Sequence, residues 1–311
     1  MSGEASRCFA CFGGTVTVHV GGGAAAEEAA ARAQAQLLDA HRRLSRFEPE
    51  SELTRLNRDP RTTVPVSPLL LELAVAVRQA GFLSGGLVDA TQLERIERAG
   101  YRESRAGRRA APIELLLHRE PAPALPDPER LWRRVSVDRR AGTITRPPGL
   151  AIDSGGIAKG LMADIVGVTL DGHETYAVDC CGDLRIGGVG GHPRTVLVED
   201  PAGGDPVHEL SLREGGVATS GITRRSWPTG DGGAGHQLLD PSTGRPAFTG
   251  IIQATALAPT AFLAEVHAKQ ALLAGPALAS RCLPHGGVLV HADGTTEVVG
   301  EPAPRQVPAA G

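Results

Sequence analysis

The stretch Asp153-Ser-Gly-Gly-Ile-Ala-Lys159-Gly160 determines how the rest of this chain is interpreted. It follows an apolar segment and leads into a helical pattern, with Lys159 in the first turns of the predicted helix. Adjacent glycines let the backbone approach a ligand closely, and the free N–H groups of a helix N-terminus suit a phosphate. A tight structural turn beside a solvated lysine explains the same residues equally well, so this stretch alone leaves both interpretations open.

The composition is typical of a soluble globular protein. The 311 residues are 41% hydrophobic and 22% charged, which suits one large domain or two small ones. The formal net charge is −3, and there are only six Phe, two Tyr and two Trp. The charge argues against a nucleic-acid or anionic-membrane partner, and the scarcity of aromatic residues argues against a platform for single-stranded nucleic acid.

The cysteines favour a reducing compartment. There are five, an odd number, and Cys180 and Cys181 are adjacent, which is not the pattern of a disulfide framework. Cys8 and Cys11 form a C-x-x-C without a second pair at metal-ligand spacing, so we interpret them as structural. No signal peptide and no charge-free stretch of transmembrane length is visible. We therefore expect a cytoplasmic protein.

The hydrophobic patterns predict an α+β protein in which two helices pack on a mostly antiparallel sheet, twice. The predicted helices cover 24–46, a short turn after Ser51, 67–82, a segment from Lys159 to about 172, and 259–273. The predicted strands cover 15–20, 135–138, 143–145, 175–178, 184–186, 194–199, 209–212, 216–220, 235–239, 251–257, 288–291 and 296–299. Residues 87–91 are predicted to be extended, 102–130 an irregular surface connection, and 301–311 a disordered tail.

Three further glycine-containing stretches combine polar and charged residues. They are CCGDLRIGG (180–188), VATSGITRR (217–225) and HQLLDPSTGRP (236–246). Each of them alone fits a structural turn better than a functional site. Together with Lys159, Arg224 and the nearby carboxylates, they indicate a ligand that carries phosphate, with a divalent ion.

Six segments, in order, resemble the motifs of the FAD:protein FMN transferases, the ApbE family. The resemblance runs from Phe9 to about Gly275. FEPESELTRLN (47–57), LVDAT (87–91) and DSGGIAKG (153–160) are similar to Y-x-x-x-S-E-L-S-R-x-N, F-D-P-T and D-L-G-G-I-A-K-G. CGDLRIGG (181–188), VATSGITRR (217–225) and LLDPSTGRP (238–246) are similar to G-G-D-x-x-x-x-G, A-T-S-G-x-x-R-R and I-I-D-P-x-T-G-x-P.

The resemblance implies a T-fold-like α+β protein with two similar α/β halves and a flavin cleft between them. It implies one domain of two intertwined subdomains over residues 1–300. In the family, Mg²⁺ binds the FAD pyrophosphate, and a threonine hydroxyl of a partner protein attacks the FMN phosphorus so that AMP leaves. The segment Asp240-Pro-Ser-Thr243-Gly244 lacks the Ala-Thr that follows in an acceptor motif, so self-flavinylation is not expected.

The resemblance also implies which residues form the site. The residues carried over to FAD binding are Phe47, Leu87, Val88, Asp89, Asp153, Lys159, Thr219, Ser220 and Leu238. The residues carried over to the metal positions are Gly156, Glu265, Ala268 and Lys269. These positions are expectations for the structure, and Glu265 and Lys269 depart from the family's metal-binding pattern.

The departures concern the metal site and the catalytic base. The family's A-D-x-x-x-T becomes Ala264-Glu265-Val-His-Ala268-Lys269 here, and an ammonium repels a metal ion rather than ligating it. Lys269 could instead serve as a point charge on the pyrophosphate.

The family's histidine falls on Gln237, with His236 one residue earlier and, on a strand, facing the opposite side. Gln237, His236 and Lys269 are the candidate catalytic positions. Three functions stay open: a flavin transferase, a non-catalytic FAD- or nucleotide-binding protein, and an ApbE-like enzyme of altered chemistry.

Overall fold

The computed structural model describes residues 3–117, 120–230 and 232–300, which form a mixed α/β structure. The helices are α1 (Ala25–Leu44), α2 (Glu52–Arg58), α3 (Pro68–Leu83), α4 (Leu93–Arg98), α5 (Ala158–Val168), α6 (Ala261–Ala274) and α7 (Pro276–Ala279). The strands are β1 (Ala5–Cys11), β2 (Gly14–Gly21), β3 (Thr63–Pro65), β4 (Ser136–Asp138), β5 (Thr143–Thr145), β6 (Thr175–Cys180), β7 (Asp183–Gly187), β8 (Arg194–Val198), β9 (His208–Leu212), β10 (Gly215–Gly221), β11 (Ser226–Pro228), β12 (Ala234–His236), β13 (Leu239–Asp240), β14 (Arg245–Pro246), β15 (Ile251–Ala258), β16 (Gly287–His291) and β17 (Thr296–Val299). Short 3-10 helices cover Ile113–Leu115, Leu131–Arg134 and Ser280–Cys282.

Eight of the described strands form one sheet in the order β1-β2-β6-β7-β10-β15-β16-β17, in which all neighbours are antiparallel. Val16, Val18 and Val20 alternate with polar residues along β2 and are completely buried, on the side where α1 packs. The same layer of helices continues with α5 on β6 and α6 on β10 and β15. The helices thus cover the apolar face of the sheet and leave its polar face to the cavity described below.

Helices α5 and α6 pack closely because their contact contains small and capping residues. A Cβ on Gly160 would lie 2.6 Å from the carbonyl oxygen of Ala261, so only glycine fits this contact without a shift. Asp164 on α5 accepts hydrogen bonds from Ala261 N at 2.8 Å and from Phe262 N at 2.9 Å. A carboxylate in this place satisfies free N–H groups at the start of α6. These bonds fix α6, and with it Lys269, relative to the glycine-rich turn that precedes α5.

Much of the predicted fold is confirmed. The structure is mixed α/β with antiparallel sheets, and the five predicted helical segments are present as α1, α2, α3, α5 and α6. Ser51 and Ser67 accept hydrogen bonds from Thr54 N and Leu70 N and therefore cap α2 and α3 as predicted. The predicted tail at 301–311 lies outside the described residues. The single domain and the division into two similar halves stay predictions.

Several local predictions differ from the structure, and three of the differences lie near the cavity or at the edge of the main sheet. Strand β1 is missing from the prediction, because Ala5–Cys11 carries few of the β-branched residues that mark a strand. Residues 87–91 form a turn that leads into α4, which is also unpredicted. The predicted strand 235–239 is interrupted at Gln237, between β12 and β13. Within the described ranges, no helix is both long and apolar enough to cross a membrane.

Candidate functional site

A large cavity lies against the polar face of the main sheet. Its volume is about 1080 Å³, at the upper end of the roughly 300–1,000 Å³ usual for small-molecule and cofactor sites. Among the residues predicted to form the site, those that line it are Phe47, Leu87, Val88, Asp89, Asp153, Gly156, Lys159, Thr219, Ser220, Gln237, Leu238 and Lys269. The structure thus brings together residues separated by more than two hundred positions, whereas His236, Glu265 and Ala268 lie outside its lining.

The floor of the cavity is a row of polar side chains on the sheet. Thr17 on β2 pairs with Asp179 on β6, and Thr219 on β10 pairs with Thr255 on β15. Residues directly opposite each other on antiparallel strands share a face. The hydroxyl oxygens of Thr219 and Thr255 lie 2.9 Å apart in a hydrogen bond, and all four residues line the cavity. The sheet therefore separates an apolar core on one side from a polar site on the other.

Hydrogen bonds hold the glycine-rich turn before α5 in place. The side-chain amide of Asn57 forms two hydrogen bonds of 2.8 Å with the backbone of Ile152. Arg46 Nε lies 3.2 Å from Asp153 Oδ1, and Gly155 N donates to the same oxygen at 3.1 Å. The turn therefore presents its backbone to the cavity in a fixed conformation, as a phosphate-binding turn requires.

Four charged side chains form a buried network behind this turn. Lys159 pairs with Asp183, and its Nζ lies 4.0 Å from Glu265 Oε1. Lys269 Nζ lies 2.9 Å from the same oxygen, while Gly160 N donates to Glu265 Oε2 at 3.0 Å. Asp183 and Glu265 are fully buried, whereas Lys159 and Lys269 line the cavity. The network therefore presents two ammonium groups to the cavity and keeps its two carboxylates behind them.

Burial and pairing act in opposite directions on the pKa values of this network. Burial raises the pKa of Asp183 above its ordinary value despite the attraction of Lys159. Burial also disfavours ionised Glu265, but Lys269 and Lys159 outweigh it and hold the pKa of that carboxyl below its usual range. For Lys159, burial lowers the pKa, and the attraction of Asp183 and Glu265 more than offsets it. Lys159 is therefore a stable cation at neutral pH.

Lys269 lies beside the glycine-rich turn. A Cβ on Gly156 would be 3.6 Å from Lys269 Cε, so the lysine chain passes directly next to the backbone there. Both carboxylate oxygens of Glu265 already accept hydrogen bonds, from Lys269 and from Gly160 N. Ala268 is completely buried in the core. In the described part of the chain, no group of three or more His, Cys, Asp or Glu side chains is arranged to hold a metal ion.

Gln237 and His236 occupy different environments. Gln237 lines the cavity and donates from Nε2 to Gly221 O at 3.4 Å, while its Oε1 is buried without a hydrogen-bond partner among the described residues. His236 is buried, with Nε2 at 2.8 Å from Ala247 O and Nδ1 accepting from Leu238 N at 3.2 Å. Its ring therefore holds the chain locally and does not face the cavity, which counts against the prediction of a catalytic His236.

An aromatic cluster forms part of the cavity wall. The ring centroids of Phe47 and Tyr101 lie 5.6 Å apart, and Tyr101 stacks on Trp227 at the same distance. The guanidinium of Arg46 lies 4.1 Å from the centroid of Phe47 and 4.8 Å from that of Tyr101. Phe47 and Tyr101 line the cavity. In a chain so poor in aromatic residues, this wall is a distinct surface for a flat aromatic ring.

The turn formed by Leu87, Val88 and Asp89 lines the same cavity. Asp89 Oδ1 accepts hydrogen bonds from the backbone and the hydroxyl of Thr91, at 2.8 and 2.5 Å. Gln92 Nε2 donates to Asp89 Oδ2 at 3.1 Å. Burial raises the pKa of Asp89, although these hydrogen bonds oppose it. Asp89 therefore fixes the turn, and its oxygens are already engaged.

Several residues of the cavity wall are absent from the sequence prediction. Arg105 and Arg108 belong to the segment 102–130 that is predicted only as an irregular surface connection, and Tyr101 directly precedes it, yet all three line the cavity. Asp183 lies in a Gly-Asp motif that the sequence does single out. Its role becomes clear only from its ion pair with Lys159, 24 positions away. Asp179 has no motif signal of its own, and only the pairing of the strands places it in the cavity.

Comparisons with known proteins agree with these motifs. The model of the ApbE family matches residues 12–290. The FAD:protein FMN transferase of Treponema pallidum is 30% identical over 164 residues, which cover 44% of this chain and 45% of that protein. The FAD:protein FMN transferase of Haemophilus influenzae is 25% identical over 245 residues, which cover 75% of this chain and 68% of that protein. The matched part of the chain thus spans about half of the Treponema protein.

Solved structures share the fold over nearly the whole chain. The ApbE protein of Thermotoga maritima superimposes with a TM-score of 0.78 at 25% identity, covering 96% of this chain and 97% of that one. The flavin transferase ApbE of Vibrio cholerae superimposes with a TM-score of 0.73 at 19% identity, covering 96% and 98%. Because the family model spans most of the 311 residues, this chain belongs to the ApbE family.

Proposed function

We propose that this protein transfers FMN from FAD to a threonine hydroxyl of a partner protein and releases AMP. The observation that carries the proposal is the pair of ammonium groups, Lys159 and Lys269, which face the cavity beside the Gly155-Gly156 turn. Fixed cations and backbone N–H groups are what a pyrophosphate needs for binding, and they stabilise the charge that develops when its P–O bond breaks. The names of the relatives in Treponema and Haemophilus support the same reaction.

The other cavity residues suit the remaining parts of FAD. Phe47, in contact with Tyr101, offers a wall for the isoalloxazine ring, and the turn at Leu87–Asp89 is placed to line it. Thr219 and Ser220 offer hydroxyl groups on the sheet floor, and Leu238 is an apolar contact for the adenosine.

We infer that the ammonium of Lys269 takes the place of a divalent ion. Mg²⁺ needs several oxygen ligands in a near-octahedral arrangement. Here Glu265 is fully buried with both oxygens engaged, Ala268 lies in the core, and Lys269 adds a positive charge beside Gly156. These residues do not fit Mg²⁺, so we assign the neutralisation of phosphate charge to Lys159 and Lys269.

The test uses the purified protein, FAD and a synthetic peptide that contains Ser-Thr-Gly-Ala-Thr. AMP is measured by chromatography, and the peptide is examined by mass spectrometry for the addition of FMN. A matched peptide with valine in place of the last threonine removes the attacked hydroxyl and should stay unmodified. We expect the same AMP release with EDTA and with added Mg²⁺.

A second candidate is a protein that binds FAD without chemistry, and one observation favours it. Gln237 replaces the family's histidine in the cavity and cannot act as a base. The same experiment separates the two functions. FAD binding in a titration, with no AMP and no modified peptide under any metal condition, would establish the binding protein and refute the transferase.

We also infer a cytoplasmic location. The five cysteines, all of which lie in the described residues, are free. Free thiols suit a reducing compartment. Cell fractionation followed by immunoblotting tests this location, and recovery of the protein outside the cytoplasm would refute it.

A further inference from the structure

We propose that Asp179 is the general base that accepts the proton of the attacking hydroxyl, a role that rests on the proposed FMN transfer. The reaction needs such a group because the acceptor hydroxyl loses a proton as its oxygen bonds to phosphorus. Gln237 is unable to accept it, and the ring of His236 faces away from the cavity. Another side chain of this cavity must therefore receive the proton.

Asp179 is fixed at the floor of the cavity. It lies near the end of β6, pairs with Thr17 across the sheet and lines the cavity. Gly182 N donates to its Oδ1 at 2.7 Å. No hydrogen bond to its Oδ2 occurs within the described residues, and this oxygen is not sealed in the interior. The carboxylate is therefore held by one oxygen and presents the other to the cavity.

Hydrogen bonds place Asp179 in the same part of the floor as Gln237. The Gly182 that donates to Asp179 also accepts a backbone hydrogen bond from Thr219 N at 3.3 Å. Two residues further along β10, Gly221 O accepts the hydrogen bond from Gln237. Two positions on a strand span about 6.6 Å. The chain of hydrogen bonds from Asp179 to Gln237 thus crosses only one end of β10, and both residues line the cavity.

The charges around Asp179 suit a base. Burial raises the pKa of Asp179. A backbone hydrogen bond from Gly182 and the charges of Lys159, His19 and Arg224 lower it, but their effect is smaller than that of burial. The nearby groups Cys180, Cys181 and Asp183 complete its titratable surroundings. A carboxylate with a raised pKa binds a proton more strongly than an exposed one, which suits a group that must accept a proton.

Four other titratable groups of the cavity are less suitable. Both oxygens of Asp89 accept hydrogen bonds within its own turn. Asp153 is paired with Arg46, and Glu199 is paired with Arg224 at the exposed rim. His41 is the strongest competitor, because burial lowers its pKa and keeps the imidazole neutral. Its ring packs edge-on against Phe12, however, at 5.4 Å between centroids.

In the proposed step, the threonine hydroxyl proton passes to Asp179 Oδ2 while the hydroxyl oxygen bonds to the FMN phosphorus of FAD. The bond from this phosphorus to the bridging oxygen breaks, and AMP leaves with that oxygen and its electron pair. Lys159 lines the same cavity and attracts the Asp179 carboxylate, and the proposed function assigns the same ammonium to the pyrophosphate. The step consumes no oxidant, reductant or metal.

The test measures AMP release and FAD affinity for Asp179→Asn, Asp179→Glu, His41→Asn and, as a carboxylate control outside the cavity lining, Glu72→Gln, whose ion-pair partner is Arg139. Asp179→Asn should lower kcat by about 10²–10⁴-fold, the usual contribution of a general base. FAD should bind this variant at least as tightly, because a negative charge near the pyrophosphate is gone. Asp179→Glu should keep part of the activity, and Glu72→Gln should match the parent.

The pH dependence distinguishes a base from a structural residue. In the parent, kcat should rise as Asp179 ionises, with an apparent pKa above the ordinary value of about 3.9. In Asp179→Asn this rise should vanish, and adding Gln237→His to that variant should restore part of kcat.

Two results would refute the role of Asp179 without refuting FMN transfer. One is an unchanged kcat in Asp179→Asn, and the other is a rise of kcat with pH that disappears in His41→Asn and not in Asp179→Asn. A parent that releases no AMP would overturn the proposed function together with it.

Discussion

Removing the ammonium of Lys269 while Glu265 stays charged should destabilise the protein strongly. The change Lys269→Met keeps a long apolar side chain and leaves a fully buried carboxylate with Gly160 N and the more distant Lys159. Removing one partner of a buried ion pair typically costs about 3–5 kcal/mol, because the other charge stays buried.

The distances show how far Lys159 can compensate. At an effective dielectric constant of about 20, the 2.9 Å pair of Lys269 and Glu265 corresponds to an attraction of about 6 kcal/mol, and the 4.0 Å contact with Lys159 to about 4 kcal/mol. Lys159 keeps this attraction to Glu265 in the variant, although it also pairs with Asp183. We therefore expect a loss near the lower end of the range, about 3 kcal/mol in the free energy of unfolding.

Urea denaturation followed by tryptophan fluorescence measures this loss, since Trp132 and Trp227 are both buried. The control combines Lys269→Met with Glu265→Gln. This pair of changes removes both charges and should recover most of the stability, because neutral replacement of a buried ion pair is often tolerated. A loss of only about 0–1 kcal/mol in Lys269→Met, as for exposed ion pairs, would refute the buried network.

Three further changes test the cavity. Gly160→Ala should cost about 1–3 kcal/mol in urea denaturation, because its Cβ would lie 2.6 Å from Ala261 O, and an unchanged midpoint would contradict this. Phe47→Ala should weaken FAD binding in calorimetry by about 0.5–1.5 kcal/mol more than Phe47→Leu, and equal effects would exclude ring packing. Glu265→Asp with Lys269→Thr should make AMP release depend on Mg²⁺. An EDTA-sensitive parent would count against the role of Lys269.

The sequence predicts those helices and strands whose caps or hydrophobic pattern lie within one short segment. Ser67-Pro68 combines a cap with a residue suited to the first helical turn, and the structure has Ser67 as the cap of α3. The alternation of valines in β2 predicted its buried face for the same reason. In contrast, α4 and β1 have weak local patterns, and their formation depends on packing against neighbours that the sequence does not specify.

The sequence predicts those cavity residues that belong to a motif. It does not predict the residues that strand pairing or contacts between distant segments bring to the cavity. Lys159 and Asp153 belong to one motif, and both line the cavity. Asp179 reaches the same cavity because β6 pairs with β2 and β7, which no single segment reveals. Tyr101 lies in an irregular stretch, and its stacking on Trp227 joins residues more than a hundred positions apart.

The substitutions near the cavity make physical sense as one set. A lysine at position 269 supplies positive charge without ligands, and a glutamate at 265 reaches that ammonium at 2.9 Å while its other oxygen accepts from Gly160 N. The ammonium of Lys159 faces the cavity and favours the ionised form of the Asp179 carboxylate, so a base on the sheet floor becomes feasible where the histidine is absent. Asp179 is the carboxylate that the fold places there. In the function that we propose, an ammonium and a carboxylate thus take over together the roles that the resemblance assigns to a metal ion and a histidine.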